Sequence, residues 1–150
     1  MSFNLNKWLK DTIVIEDTVV KPYQENRPRV FCKDGFSISI QASEYHYCTP
    51  RYSQVPPKSE GLWLIMNGDR IFSGDSRGTF FSNNFIPYKT VELGYPSAED
   101  DLIKDYAEGD NYTTTVYAGV PVMVVEELIE KHGGFDYAKD VRGEPEPNKQ

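Results

Sequence analysis

The sequence predicts an α+β fold: a mainly antiparallel, hairpin-rich sheet with two or three helices packed on it. Three observations carry that expectation. Two dipeptides suited to tight turns, Asp34-Gly35 and Asn67-Gly68, each stand between apolar runs. Phe36, Ile38 and Ile40 alternate with Ser37, Ser39 and Gln41, the period of a strand with one buried face. Helical patterning is concentrated late, after this hairpin-rich first half, which favours α+β over a doubly wound parallel sheet.

A chain of 150 residues, 39% hydrophobic and 26% charged, is sized for one core, and eight Phe and ten Tyr residues supply its bulk. We assign residues 1–140 to a single α+β domain with a hairpin-like insertion at about 58–86, and 141–150 to a flexible C-terminal tail. That tail, ending RGEPEPNKQ, has almost nothing to bury.

The elements follow in order. Residues 2–11 carry Phe3, Leu5, Trp8 and Leu9 and read as a short helix docked by its tryptophan. Residues 12–20 are rich in β-branched side chains and read as a strand that stops before Lys21-Pro22. After a polar loop, YQENRPR, residues 29–33 and 36–42 flank Asp34-Gly35 as a hairpin with a two-residue turn. CTPRYSQVPPKSEG reads as an exposed connection, and GLWLIMNGDRIFSG as a second hairpin turning at Asn67-Gly68. The stretch to Asn84 is irregular. Residues 88–93 resume strand chemistry, closed by Gly94-Tyr95-Pro96. Ser97 then precedes AEDDLIKDYAEG, whose early acids suit a helix N-terminus and whose Gly109 suits its end. Residues 113–118 read as a strand, and Pro121 opens a last helix, VMVVEELIEKHGG, with Lys131 and His132 at its negative end and Gly133-Gly134 as the stop.

Charge and hydropathy narrow the functional classes. A formal net charge of −7 opposes nonspecific nucleic-acid binding, which needs clustered Lys and Arg. No run approaches the roughly eighteen apolar residues of a membrane span. The N-terminal region also lacks the basic, apolar and small segments of a signal peptide. No membrane partner is expected, and a cytoplasmic location is, with Cys32 and Cys48 reduced.

Residues 41–51, QASEYHYCTPR, concentrate the chemistry. If the strand from Phe36 continues, His46 and Cys48 share a face. A zinc site would need Cys32 and His132 to converge on them, without the close pairs of known zinc modules. A Cys48 nucleophile with His46 as base would need hydrogen-bond distance and an orienting third group, which same-face strand neighbours do not provide. We therefore assign no catalytic residue, no metal and no cofactor. Tyr45, His46, Tyr47, Arg51 and Tyr52 are the ligand- or partner-binding candidates, because flat faces, hydroxyls and a guanidinium fork hold bases, phosphates or peptides. The acidic stretch from Glu92 to Asp110 reads as a solvated helix face, with mimicry of nucleic acid toward a basic protein groove as the sharper alternative.

Three blocks, FSISIQASEYHYCTPR, VELGYPSAEDDLIKDYAEG and TVYAGVPVMVVEELIEKHGG, together with the preceding VVKPYQENRPRVFCKDG, resemble in that order a family of small uncharacterised bacteriophage and prophage proteins. The resemblance covers about two thirds of the chain and implies a phage accessory protein made in the bacterial host cytoplasm. It carries no activity or residue roles with it. This chain departs from the family in the hairpin-like segment around GLWLIMNGDRIFSG, where relatives have a short connection, and in Ala118-Gly119-Val120, where they are more aromatic. The expected function is noncatalytic binding of a host protein or a small signalling ligand in counter-defence. The alternatives are a small hydrolase or nuclease using His46 and Cys48, and a self-assembling homo-oligomer built on strand edges around Asn67-Gly68.

Overall fold

The computed structural model describes residues 3–16, 24–54, 63–66, 69–73, 80–82 and 84–139. Its elements are α1 (Leu5–Asp11), β1 (Val14–Glu16), β2 (Gln24–Asn26), β3 (Val30–Phe31), β4 (Ser37–Gln41), β5 (Ser53–Gln54), β6 (Trp63–Met66), β7 (Asp69–Ser73), β8 (Phe80–Ser82), β9 (Thr90–Gly94), β10 (Val116–Pro121) and α2 (Val122–Lys131), with short 3₁₀ turns at Lys104–Tyr106 and Tyr137–Lys139. The fold is α+β, as expected. An antiparallel four-stranded sheet of order β10-β9-β4-β3 joins both helices in one core, while β5-β8-β7-β6 form a second sheet and β1-β2 a two-stranded ribbon.

The alternation read along β4 holds from Ile38 onward, with Phe36, Ile38 and Ile40 buried and Ser39 and Gln41 half-buried. Ser37 is buried as well, its N–H on the Ser97 hydroxyl and its own hydroxyl accepting from Arg29 Nε. Val91 and Leu93 of β9 take the same face and meet Leu5, Trp8 and Leu9 of α1 and Val125, Leu128 and Ile129 of α2 in the core cluster. Two backbone donors at the start of α1 are satisfied by side chains: Lys7 N donates to Asn4 Oδ1 and Leu5 N to the Glu126 carboxylate of α2, at 3.0 and 2.9 Å.

On β10 the core residues are Tyr117 and Val120, an odd spacing that would put them on opposite faces of a regular strand. A register shift between them, with Gly119 at φ +59°, inserts the extra residue that turns both inward. A Cβ at Gly119 would meet no atom within 4 Å, so only the backbone conformation resists substitution. Gly119→Ala is expected to lower unfolding free energy by about 1 kcal/mol in urea titration. No loss would mean that the bulge tolerates a side chain.

The Asp34-Gly35 hairpin forms, but its turn is longer than two residues. Cys32 N donates to Phe36 O and Gly35 N to Cys32 O, so Lys33, Asp34 and Gly35 make the connection and only Gly35, at φ +98°, is left-handed. The Asp34 carboxylate accepts the Phe36 N–H at 2.8 Å, which stabilises the wider turn. At the second hairpin Met66 faces Asp69, as the two-residue connection requires, although Asn67 and Gly68 themselves lie outside the described residues.

Four expectations are corrected. The connection after Cys48 is not simply exposed: Tyr52 and Ser53 are buried, and β5 pairs in parallel with β8, a strand lying where the sequence reads as irregular. Residues 98–109 form turns and one 3₁₀ segment instead of a helix. Their bonds run from i to i+3, Ile103 N to Asp100 O, Tyr106 N to Ile103 O and Ala107 N to Lys104 O, because the Asp100 side chain bonds Leu102 N and turns inward to tertiary partners. The late strand runs from Val116 into Pro121 and starts after Thr113, since residues 112–115 form turns. The early strand starts only at Val14 and is described to Glu16, because Thr12 caps α1 and Ile13 is not strand; residues 17–20 and the tail lie outside the described residues.

Helix α2 starts directly after Pro121 and ends in a Schellman motif: Gly134 N bonds Ile129 O and Gly133 N bonds Glu130 O, with both glycines at positive φ. The chain then returns along β3, where Lys33 N donates to Gly134 O and Asp136 N to Phe31 O. At the opposite side of the sheet Glu108 N donates to Val116 O, so both outer strands of this sheet are covered.

Candidate functional site

Strand β4 ends at Gln41, so His46 and Cys48 do not share the face of a continuing strand. The chain instead folds back around Ser43, a buried residue without a strong sequence signal. The Ser43 hydroxyl lies 2.6 Å from His46 Nδ1 and accepts from Tyr45 N, while its carbonyl accepts from His46 N and from the Cys48 thiol at 3.1 Å. Burial, with the positive charge of Arg27, pushes His46 down to about 4, and burial pushes the Cys48 thiol up to about 11. Both shifts favour neutral forms, the reverse of a thiolate–imidazolium pair.

Beneath this turn lies a buried ionic group. The Arg27 side chain donates from Nε to Leu9 O and from Nη1 to Ala42 O, at 3.0 and 2.6 Å. Its Nη1 lies 3.7 Å from Glu25 Oε2, and the two side chains are 0% and 1% exposed. Glu25 Oε1 accepts from Gln54 N of β5, and the Glu44 N–H bonds the Ser53 hydroxyl. Burial raises the Glu25 carboxyl, and the Arg27 charge opposes that shift. These groups bind the end of β4 to the start of the second sheet and position residues 45–51 above them.

The five binding candidates separate into two sets. Tyr52 is a core residue: its hydroxyl donates to Ile86 O and accepts from Ile86 N, and its ring stacks on Tyr88 with centroids 5.1 Å apart. His46 is half-buried and held by Ser43. Tyr45 and Tyr47 are each 50% exposed, and the Arg51 guanidinium lies over the Tyr47 ring, 5.1 Å from its centroid. The main chain of Tyr47 is tied to the four-stranded sheet, with its N–H donating to Glu92 Oε1 and its carbonyl accepting from Gly119 N at 3.1 Å. Thr49, which precedes Pro50 in a cis peptide, bridges to Thr90. Glu92 thus joins Tyr47 and Arg51 in one patch, with Tyr45 exposed two residues away, having stood in the sequence only as the first of many acids.

A second cluster was not legible from sequence. The His132 ring stacks on Phe36, with centroids 3.9 Å apart. Its Nδ1 lies 2.6 Å from Asp34 Oδ2 and its Nε2 2.8 Å from Asp100 Oδ2, while Lys131 Nζ lies 3.0 Å from Asp100 Oδ1. The three meeting segments are the first hairpin turn, the 97–103 turn and the end of α2. Asp-Gly and a helix-terminal histidine each carried local meaning, but nothing in their spacing brings them together.

The zinc donors do not converge. His46 lies on Ser43, His132 lies between carboxylates, and the Cys32 thiol is buried and pushed up to about 12 by that burial and by Asp34 and Asp136. The acidic stretch also divides, since Asp100 is buried while Asp101 and Glu99 lie against Lys104 at 3.1 and 3.7 Å. Compared with family models, curated proteins and solved structures, the chain matches none.

The His46 environment gives a pH prediction. With a folded value depressed from 6.5 to about 4, the unfolded chain takes up the proton first, so stability is lost as pH falls across that window. His46→Gln should flatten the dependence of unfolding free energy between pH 6.5 and 4, measured by urea titration. An unchanged slope would show that His46 does not carry it.

Proposed function

We propose that this is a noncatalytic phage accessory protein that acts by binding a host protein or small ligand through Tyr45, Tyr47 and Arg51, with counter-defence as its purpose. The observation that supports the reading is the pairing of two half-exposed tyrosines with a guanidinium stacked on one of them, on a backbone fixed by the buried ionic group and the sheet. Exposed Tyr and Arg on a rigid frame are the residue types that dominate binding energy. The phage setting rests on the family resemblance of the QASEYHYCTPR, VELGYPS and VEELIEKHGG blocks. Hydrolysis through His46 and Cys48 is disfavoured by their neutral, Ser43-bound state.

The test is affinity recovery from phage-infected cells with wild-type, Tyr47→Ala and Arg51→Ala proteins, reading captured proteins and small molecules by mass spectrometry. Both variants should melt within about 1 kcal/mol of wild type, and both should lose the captured partner. Recovery that is indifferent to both substitutions would overturn the reading.

A further inference from the structure

The chemistry of the exposed patch narrows its ligand. Among the described residues the Arg51 guanidinium has no hydrogen-bond partner and rests on Tyr47 with its edge donors uncommitted. Glu92 stands near enough to feel the Arg51 charge, yet no ion pair joins the two. The patch therefore presents, around Tyr47, an uncommitted donor fork, a carboxylate that gives one oxygen to the Tyr47 N–H and keeps the other for a ligand, and an exposed aromatic ring. A guanidinium fork wants paired acceptors, a carboxylate wants paired donors, and the aromatic faces and the guanidinium plane want a flat body to stack on.

We propose that this patch binds the base of a guanine nucleoside or mononucleotide, an inference that rests on reading Tyr45, Tyr47 and Arg51 as a binding surface. Guanine places two acceptors, O6 and N7, on one edge and donors, N1–H and the N2 amino group, on the adjacent edge. Arg51 takes the first edge, Glu92 the second, and Tyr47 takes the ring. Adenine puts an amino donor beside N7, facing the Arg51 fork donor to donor, and the pyrimidines lack the purine edge altogether. A net charge of −7, with Glu108 also close to Glu92, opposes a long phosphate backbone, so the ligand is a single nucleoside or mononucleotide and not a nucleic-acid strand.

The full chain is titrated with guanosine, inosine, 7-deazaguanosine, adenosine, cytidine and uridine while backbone amide shifts are followed by NMR. Guanosine should move residues 45–51 and Glu92 in a saturable way. Inosine, without the amino group, and 7-deazaguanosine, without N7, should each bind weaker by on the order of tenfold. Glu92→Gln should erase the preference over inosine, and Arg51→Lys the preference over 7-deazaguanosine. Shifts of equal size for every nucleoside, or none at these residues, would overturn the guanine assignment. If guanosine is silent while Tyr47→Ala and Arg51→Ala still abolish partner recovery, the ligand class fails and the binding surface stands. If recovery is also indifferent to both substitutions, the two fall together.

Discussion

Arg27→Met is expected to destabilise the protein by about 3–5 kcal/mol, the range for removing one partner of a buried ion pair. Arg27 and Glu25 have side chains 0% and 1% exposed, so truncating the cation leaves a carboxylate out of water with its charge uncompensated. Glu44, also buried nearby, adds to the repulsion. The carbonyls of Leu9 and Ala42 lose their charged donors as well, which loosens the end of α1 from the end of β4. The double variant Glu25→Met, Arg27→Met should be more stable than Arg27→Met alone, because an apolar pair avoids the desolvation that an orphaned carboxylate suffers. Urea unfolding of the two singles and the double measures the coupling. A cost under about 1 kcal/mol for Arg27→Met would mean that water reaches this group.

The second large effect is expected at Asp100. Asp100→Ala removes an inward-facing carboxylate that accepts from Leu102 N and Lys131 Nζ and lies against His132 Nε2, leaving that ring nitrogen, the ammonium and a backbone N–H without their shared partner. Half of the Lys131 side chain is exposed, so the expected cost is about 2–3 kcal/mol, below that for a fully buried pair. Burial alone would raise the Asp100 carboxyl, but the hydrogen bonds from Leu102, Lys131 and His132 outweigh it and hold the group below its ordinary value. A depressed carboxylate contributes stability above its unfolded value and loses it as pH falls through the folded one. The gap between wild type and Asp100→Asn should therefore be widest near neutrality and narrow below about pH 4. A gap that stays constant into acid would assign the effect to packing in place of charge. This window lies below the one ascribed to His46, so the two variants separate the two sources of acid sensitivity.

The binding candidates illustrate how far local sequence reaches. Tyr45, Tyr47 and Tyr52 are the same residue type within eight positions, yet Tyr52 has its hydroxyl on Ile86 in the core while the other two are half exposed. Aromatic side chains with a polar tip suit either environment, so type alone cannot assign them. His46 and Cys48 carry a similar lesson. Their spacing implies one face only if the strand continues, and Ser43 ends that possibility by gathering both onto its own hydroxyl and carbonyl.

Several elements follow from sequence alone, because their causes are local. The β4 alternation, the hairpin at Asp34-Gly35, the register of β6 with β7 and the glycine stop after α2 each depend on dihedral preference or on a short period, both written in adjacent residues. Residues 98–109 show where that logic stops. Their acids and terminal glycine suit a helix, but Asp100 bonds more favourably to Lys131 and His132, roughly thirty residues onward, than to helical solvent exposure. Only the tertiary structure could decide the buried Glu25–Arg27 group, the Asp34–His132–Asp100 cluster and the addition of Glu92 to the exposed patch. Each joins segments far apart in the chain, and contacts of that kind are set by how the sheets and helices pack, not by any preference a neighbouring residue expresses.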